Sequence, residues 1–249
     1  MEHENPSEAK PARERINRRQ LLTGVGGAAL GFAAGWYLHN LPGGTDIDPM
    51  PRNAQEALDR LKVGNERFSA GRMLRHHQSR AWRYRLTGEQ RPFASVLGCS
   101  DSRVPVELVF DQGFGDLFDV RVAGNVVAPD ILGSLAYALD HVHTPLVLVL
   151  GHEGCGAVTA ALAGPARHGE PQRLEELLHL IEPGLRNLDP NLQGPARLSA
   201  AVEANVRWSV RQFAGSPTGR RLLADHTVLL AGGVYDLESG RVRFLEDNT

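Results

Sequence analysis

Cys99-Ser100-Asp101-Ser102-Arg103 and His152-Glu153-Gly154-Cys155-Gly156 hold the only two cysteines of the chain. Two thiolates and one imidazole make the Cys2His donor set of a catalytic zinc site, in which a fourth position stays open for water or another exchangeable ligand. His152 and Cys155 lie three residues apart, a spacing that sets both side chains on one side of a turn or a first helical turn. Cys99 has to be brought to them by the fold.

The flanking residues say how. Phe93 to Gly98 and Leu146 to Gly151 are continuous apolar runs of strand length, the pattern of parallel strands buried on both faces. Each run ends in a glycine, and a candidate ligand follows it. In open α/β sheets, sites form outside the carboxyl ends of strands, where the strand order reverses. Both halves of the donor set stand at such an end.

Around these two strands the chain alternates. A helix is predicted from Asn53, with Ala54, Ala57, Leu58, Leu61 and Phe68 on its buried face and Gly71 as its stop. Trp82, Tyr84 and Leu86 fall in a shorter segment, where His76 and His77 read as polar loop residues. Pro105 suits the first turn of a short helix after the Cys99 loop. Leu117 to Ala123 is the next strand, and Ile131 to His141 has the helical period of a crossover. Arg173 to Leu188 and Ala196 to Phe213 are amphipathic, with Arg173, Glu175 and Glu176 on a solvated face. Thr227 to Ala231 is a further core strand; Gly232 to Gly240 is expected to turn the chain into a last, antiparallel edge strand, Arg241 to Leu245. The pattern is α/β: a mainly parallel sheet of about four parallel strands plus an antiparallel edge strand, flanked by helices, with an N-terminal helical arm.

With 249 residues, 42% hydrophobic, 22% charged and a net charge of -2, the composition is that of an ordinary globular chain and carries no nucleic-acid footprint. Residues 1–40 differ in kind. Lys10, Arg13, Arg15, Arg18 and Arg19 precede an uncharged run from Leu21 to Leu38, a basic region followed by an apolar one. Asn17-Arg18-Arg19-Gln20-Leu21-Leu22 resembles a twin-arginine export signal, which implies the twin-arginine translocase as a partner and an extracytoplasmic, secreted or membrane-anchored protein. No Ala-x-Ala cleavage site stands clearly after the apolar run, which at ~1.5 Å per residue is just long enough to remain as a membrane anchor. Gly24-Val-Gly26-Gly27 imitates a dinucleotide fingerprint, but no strand precedes it. Residues 41–51 form a linker rich in proline and glycine, and the folded domain is expected over 52–249. Two cysteines in an exported protein pair more often as a disulfide than around a metal. A disulfide, however, gives the neighbouring His and Asp no purpose, and no Cys-x-x-Cys is present for a redox pair.

From about residue 52 to its end the chain resembles a β-class carbonic anhydrase. Cys-x-Asp-x-Arg at 99–103 with His-x-x-Cys-Gly at 152–156 matches that family's paired signature in residue type, spacing and order. Gly64-Asn65 with Phe68, Arg121-Val-Ala-Gly-Asn125, and Val-Tyr-Asp-x-x-x-Gly at 234–240 support the match. The resemblance implies reversible hydration of carbon dioxide to bicarbonate and a proton, one Zn2+ per chain held by Cys99, His152 and Cys155, and a homodimer or higher homo-oligomer whose first helices wrap a neighbouring subunit. It further implies that Asp101 and Arg103 form a catalytic dyad, Asp101 accepting a hydrogen bond from zinc-bound hydroxide; in some members of the family this aspartate swings round onto the metal.

Gln90, Phe118 and Tyr137 resemble the residues lining the pocket of the plant-like members, with Gly156 placed beside them, and Val96 stands where the bicarbonate-inhibited members carry tryptophan. An open, water-bound site is therefore expected. Two thiolates already cancel the charge of the metal, so hydration activity is expected to climb beyond about pH 7. The alternatives on the same scaffold are a carbonyl sulfide or carbon disulfide hydrolase, and a non-catalytic zinc scaffold or bicarbonate-transporter partner.

Overall fold

The structure is a computed structural model that describes residues 49–164 and 171–246. The twin-arginine segment and most of the linker lie outside the described residues. Five strands form one sheet: β1 (Ala94–Gly98), β2 (Leu117–Arg121), β3 (Leu146–His152), β4 (Leu229–Tyr235) and β5 (Val242–Leu245), in the order β2-β1-β3-β4-β5. The first four are parallel, and β5 runs antiparallel to β4 at the edge. The chain steps outward from β1 to β2 and then returns to the other side of β1 for β3, so the order reverses between β1 and β3. This is the crevice-forming point of an open parallel sheet.

Every residue of β1 and β3 is buried, and their side chains alternate between two apolar clusters. Leu97, Val147 and Val149 belong to one, together with Val202, Val206, Val210 and Phe213. Val96, Leu148 and Leu150 belong to the other, with Ala57, Leu61 and Phe110. Burial on both faces is why these strands read as continuous apolar runs rather than alternating ones.

Helices cover both faces: α1 (Ala54–Ser69), α2 (Arg80–Arg85), α3 (Val106–Val109), α4 (Pro129–Asp140), α5 (Gly156–Leu162), α6 (Gln172–Leu185), α7 (Gly194–Gly215) and α8 (Pro217–Ala224). Asn53 caps α1 by accepting from the Glu56 N–H at 2.9 Å. Proline stands in the first turn of α4, α7 and α8, where its missing N–H costs nothing. Helix α7 approaches the sheet closely at Gly151, where a Cβ would lie 2.5 Å from Val206 Cγ2. That approach fixes the glycine in front of His152.

The structure revises several expectations. Strand β4 runs on to Tyr235 through Gly232 and Gly233, and the turn is confined to Asp236–Gly240. Helices α5 and α8 were not foreseen. The helix expected from Asn53 is present as α1, held by Asn65, whose Nδ2 donates to the carbonyls of Val109 at 3.0 Å and Gly240 at 2.9 Å, while its Oδ1 accepts from the Val242 N–H at 2.8 Å. His77 is no open loop residue. It is buried, hydrogen-bonded through Nδ1 to Asp116 at 2.6 Å and stacked on Trp82. His141 and His143 are exposed. No described helix is long and apolar enough to cross a membrane.

Candidate metal centre

Strands β1 and β3 are hydrogen-bonded neighbours, with Gly98 opposite Leu150. Cys99 therefore leaves β1 beside the point where His152 ends β3. Cys155 follows after a tight turn in which Gly154 has φ +66°, a conformation glycine adopts without strain. The Cys99, His152 and Cys155 donor atoms all lie within 4.8 Å of one another, and all three residues are buried. Both cysteines are free, with their sulfurs 4.0 Å apart. Two Zn–S bonds of about 2.3 Å span that separation at an angle of roughly 120°, close to tetrahedral.

Three further observations fit a metal here. First, His152 Nδ1 lies 3.0 Å from the Glu153 carbonyl, to which it donates, so the Nε2 lone pair is left facing the sulfurs. That Nε2 is buried and makes no hydrogen bond to another group. Second, the Gly124 N–H donates to Cys99 Sγ at 3.3 Å, as suits a thiolate. Third, the thiols titrate as a pair. The hydrogen bond from Cys155 holds Cys99 down to about 4, and the Cys99 thiolate pushes Cys155 up. Two buried thiolates need a cation between them to be ionised together. The donor set fits one zinc ion.

Asp101 stands beside this cluster, its Oδ2 3.8 Å from His152 Nε2. Arg103 grips it in a fork, Nε to Oδ1 at 2.9 Å and Nη2 to Oδ2 at 2.8 Å, while the Arg103 N–H also donates to Oδ1 at 2.9 Å. These bonds from Arg103 hold the Asp101 carboxyl well below the usual carboxylate range. Asp101 is turned toward Arg103 and is not among the three clustered donors.

The other residues singled out from the sequence are placed as follows. Phe118 and Tyr137 are brought together, ring centroids 6.2 Å apart, with Tyr137 half exposed. Gly156 opens α5 with open space around its Cα. Gln90 lies exposed on the segment leading into β1. Sequence reasoning missed the clamp made by Arg121. The sheet register sets Arg121 opposite Gly98, and its Nε and Nη2 donate to the Cys99 carbonyl at 3.0 and 2.9 Å, while Nη2 also reaches the Asp101 carbonyl at 2.7 Å. One guanidinium thus ties the loop carrying Cys99 and Asp101 to β2. Only the strand register reveals this.

Residues 94–242 match the carbonic anhydrase family. Carbonic anhydrase 2 of Mycobacterium tuberculosis is 38% identical over 191 residues, 76% of this chain and 91% of that protein. Carbonic anhydrase of Pseudomonas aeruginosa is 33% identical over 178 residues, covering 65% of this chain and 76% of that one. Among solved structures, the β-carbonic anhydrase CcaA superposes with a TM-score of 0.63 at 26% identity, over 76% of this chain and 91% of that one. A tetrameric β-carbonic anhydrase of Sordaria macrospora gives 0.62 at 26% identity, over 74% and 94% of the respective chains. With the Cys-His-Cys cluster at the carboxyl ends of β1 and β3, these matches establish that the chain belongs to the β-class carbonic anhydrases, zinc enzymes that are lyases.

Proposed function

We propose that this carbonic anhydrase hydrates carbon dioxide through a water acidified at the centre formed by Cys99, His152 and Cys155, with Asp101 and Arg103 as its orienting dyad. A bound zinc ion supplies a water of lowered pKa at the position its three protein ligands leave open. The observation that carries the reading is the fork from Arg103 to an Asp101 carboxylate 3.8 Å from His152 Nε2. An ionised carboxylate can only accept hydrogen bonds. Asp101 therefore holds the attacking oxygen by its O–H and leaves a lone pair free for the carbon of carbon dioxide. The oxygen adds to carbon, one C=O bond opens, bicarbonate forms and one proton is released to solvent. Arg103 keeps Asp101 ionised and aimed, and its pairing with Asp101 supports an open site in which the carboxylate stays off the metal.

The pocket walls in this reading are Gln90, Phe118, Tyr137 and Gly156, the first three on the strength of their resemblance to plant-like members. Oligomerisation is proposed as well, supported by the tetrameric relatives from Sordaria macrospora. The basic and apolar segment around Arg18-Arg19 supports export by the twin-arginine pathway, with residues 52–249 as the catalytic domain.

The test is stopped-flow hydration of carbon dioxide by the zinc-loaded chain and by Asp101→Ala, with metal measured on each sample. About one zinc per chain in both and a loss of kcat of about 100-fold or more in the variant is expected. Full activity in Asp101→Ala removes the dyad, and full zinc with no hydration in the parent chain turns attention to sulfur analogues of carbon dioxide.

A further inference from the structure

Helix α7 carries a polar pair on its buried face that the chemistry above does not use. Asn205 and Ser209 stand one helical turn apart, both buried, in a helix whose Val202, Val206, Val210 and Phe213 belong to the apolar cluster. Both reach the same short turn, Ala123–Asn125, which follows β2. Asn205 Nδ2 donates to the Gly124 carbonyl at 2.8 Å, and Ser209 Oγ donates to the Asn125 carbonyl at 2.9 Å. The Asn125 N–H closes the turn on the Val122 carbonyl at 3.0 Å. From this turn the Gly124 N–H points at Cys99 Sγ, 3.3 Å away.

Holding the turn in this way carries a cost. Gly124 and Asn125 both have positive φ, +70° and +43°, and Asn125 has a Cβ to accommodate there. Asn205 Oδ1 and Asn125 Nδ2 are buried without a hydrogen-bond partner among the described residues. Apolar side chains of similar shape would avoid that penalty, so stability alone does not account for the pair. We infer that Asn205 and Ser209 are positioning residues of the metal centre, holding the turn after β2 so that the Gly124 N–H stays on the Cys99 sulfur. Both act through backbone, Asn205 through the Gly124 carbonyl and Ser209 through that of Asn125. A thiolate that accepts a hydrogen bond passes less charge to a cation bound to it. A zinc ion held by Cys99, His152 and Cys155 would then keep more of its charge for acidifying water, so the inference rests on the zinc reading of this centre.

The experiment loads the full chain with Co2+ as a spectroscopic stand-in for zinc. It records the thiolate-to-cobalt charge-transfer absorption of the parent, Asn205→Ala, Ser209→Ala and Val210→Ala. Losing the Gly124 hydrogen bond leaves the sulfur a better electron donor. The band is therefore expected at longer wavelength in Asn205→Ala, with a smaller shift in the same direction in Ser209→Ala. Val210→Ala thins the same helix in the apolar cluster without removing a hydrogen bond to the turn, and its band is expected to match the parent's. A band unmoved in Asn205→Ala, or moved equally in Val210→Ala, overturns the proposal, since packing alone then sets the turn. If Asn205→Ala fails to fold, Ser209→Ala decides in the same terms. A parent chain that takes up neither cobalt nor zinc defeats the zinc reading and the proposal together, an outcome distinct from an unmoved band in a fully loaded chain.

Discussion

Replacing Arg121 by alanine tests whether the metal centre is held from behind. The guanidinium makes three hydrogen bonds, two to the Cys99 carbonyl at 3.0 and 2.9 Å and one to the Asp101 carbonyl at 2.7 Å. The Asp101 carbonyl bond is exposed, so water replaces it at little cost. The bonds to Cys99 are partly buried, and a lost bond from a charged donor to such a carbonyl costs about 1.5–3 kcal/mol. At about 1.4 kcal/mol per factor of ten, Arg121→Ala should weaken zinc binding by roughly 10- to 100-fold, provided the clamp acts on the metal-bound geometry. Competition with a chelator of known affinity reads this directly, alongside urea unfolding of the metal-free protein. Zinc affinity within about threefold of the parent would mean that the loop keeps its shape without the clamp, and would refute the reasoning even if the metal-free protein were destabilised.

Three other perturbations probe the scaffold. Asn65→Ala removes a side chain that bridges α1, the Val109 carbonyl and the β4–β5 turn; urea unfolding should show a loss of about 3 kcal/mol, and a loss under about 1 kcal/mol contradicts its bridging role. Gly151→Ala should cost about 1–3 kcal/mol by overpacking against Val206, and Val206→Ala in the same chain should recover much of it; equal costs with and without Val206 rule out that contact as the cause. The Asp119 carboxyl, held by burial at about 7 against an ordinary 3.8, gives the folded chain an extra proton between those values. Its contribution to stability is full below about pH 4 and is lost as pH rises through about 7, at most roughly 4 kcal/mol. Asp119→Asn should flatten this fall between about pH 5 and about pH 8, and unchanged pH dependence in the variant would place the burden on other groups.

What could be read from residues alone was what is local. The apolar runs before Cys99 and His152 announce doubly buried strands because every side chain in them meets a covering helix or loop. The donor set is legible because cysteine and histidine are few and their chemistry is narrow. The sequence ends strand β4 at Ala231 because two glycines carry no strand preference of their own; their pairing with Val149 and Leu150 of β3 holds them in the ladder. Helix α5 was missed because it is only seven residues long. The role of Arg121 depends on register, which leaves no periodicity to find.

The strand order explains why one fold supplies both a rigid metal site and a loop that can respond to its surroundings. β3 lies between β1 and β4 and is buried throughout; His152 at its end is held in register with Tyr235 of β4, two residues past the ladder to β1, and α7 presses against the residue before it. Cys99 leaves β1, whose other neighbour is the edge strand β2. The loop that carries Asp101 is therefore tied to the strand at the end of the described sheet through the Arg121 guanidinium. Edge strands open more readily than central ones. A perturbation on the outer face of β2 should consequently reach Cys99 and Asp101 before it reaches His152 or Cys155.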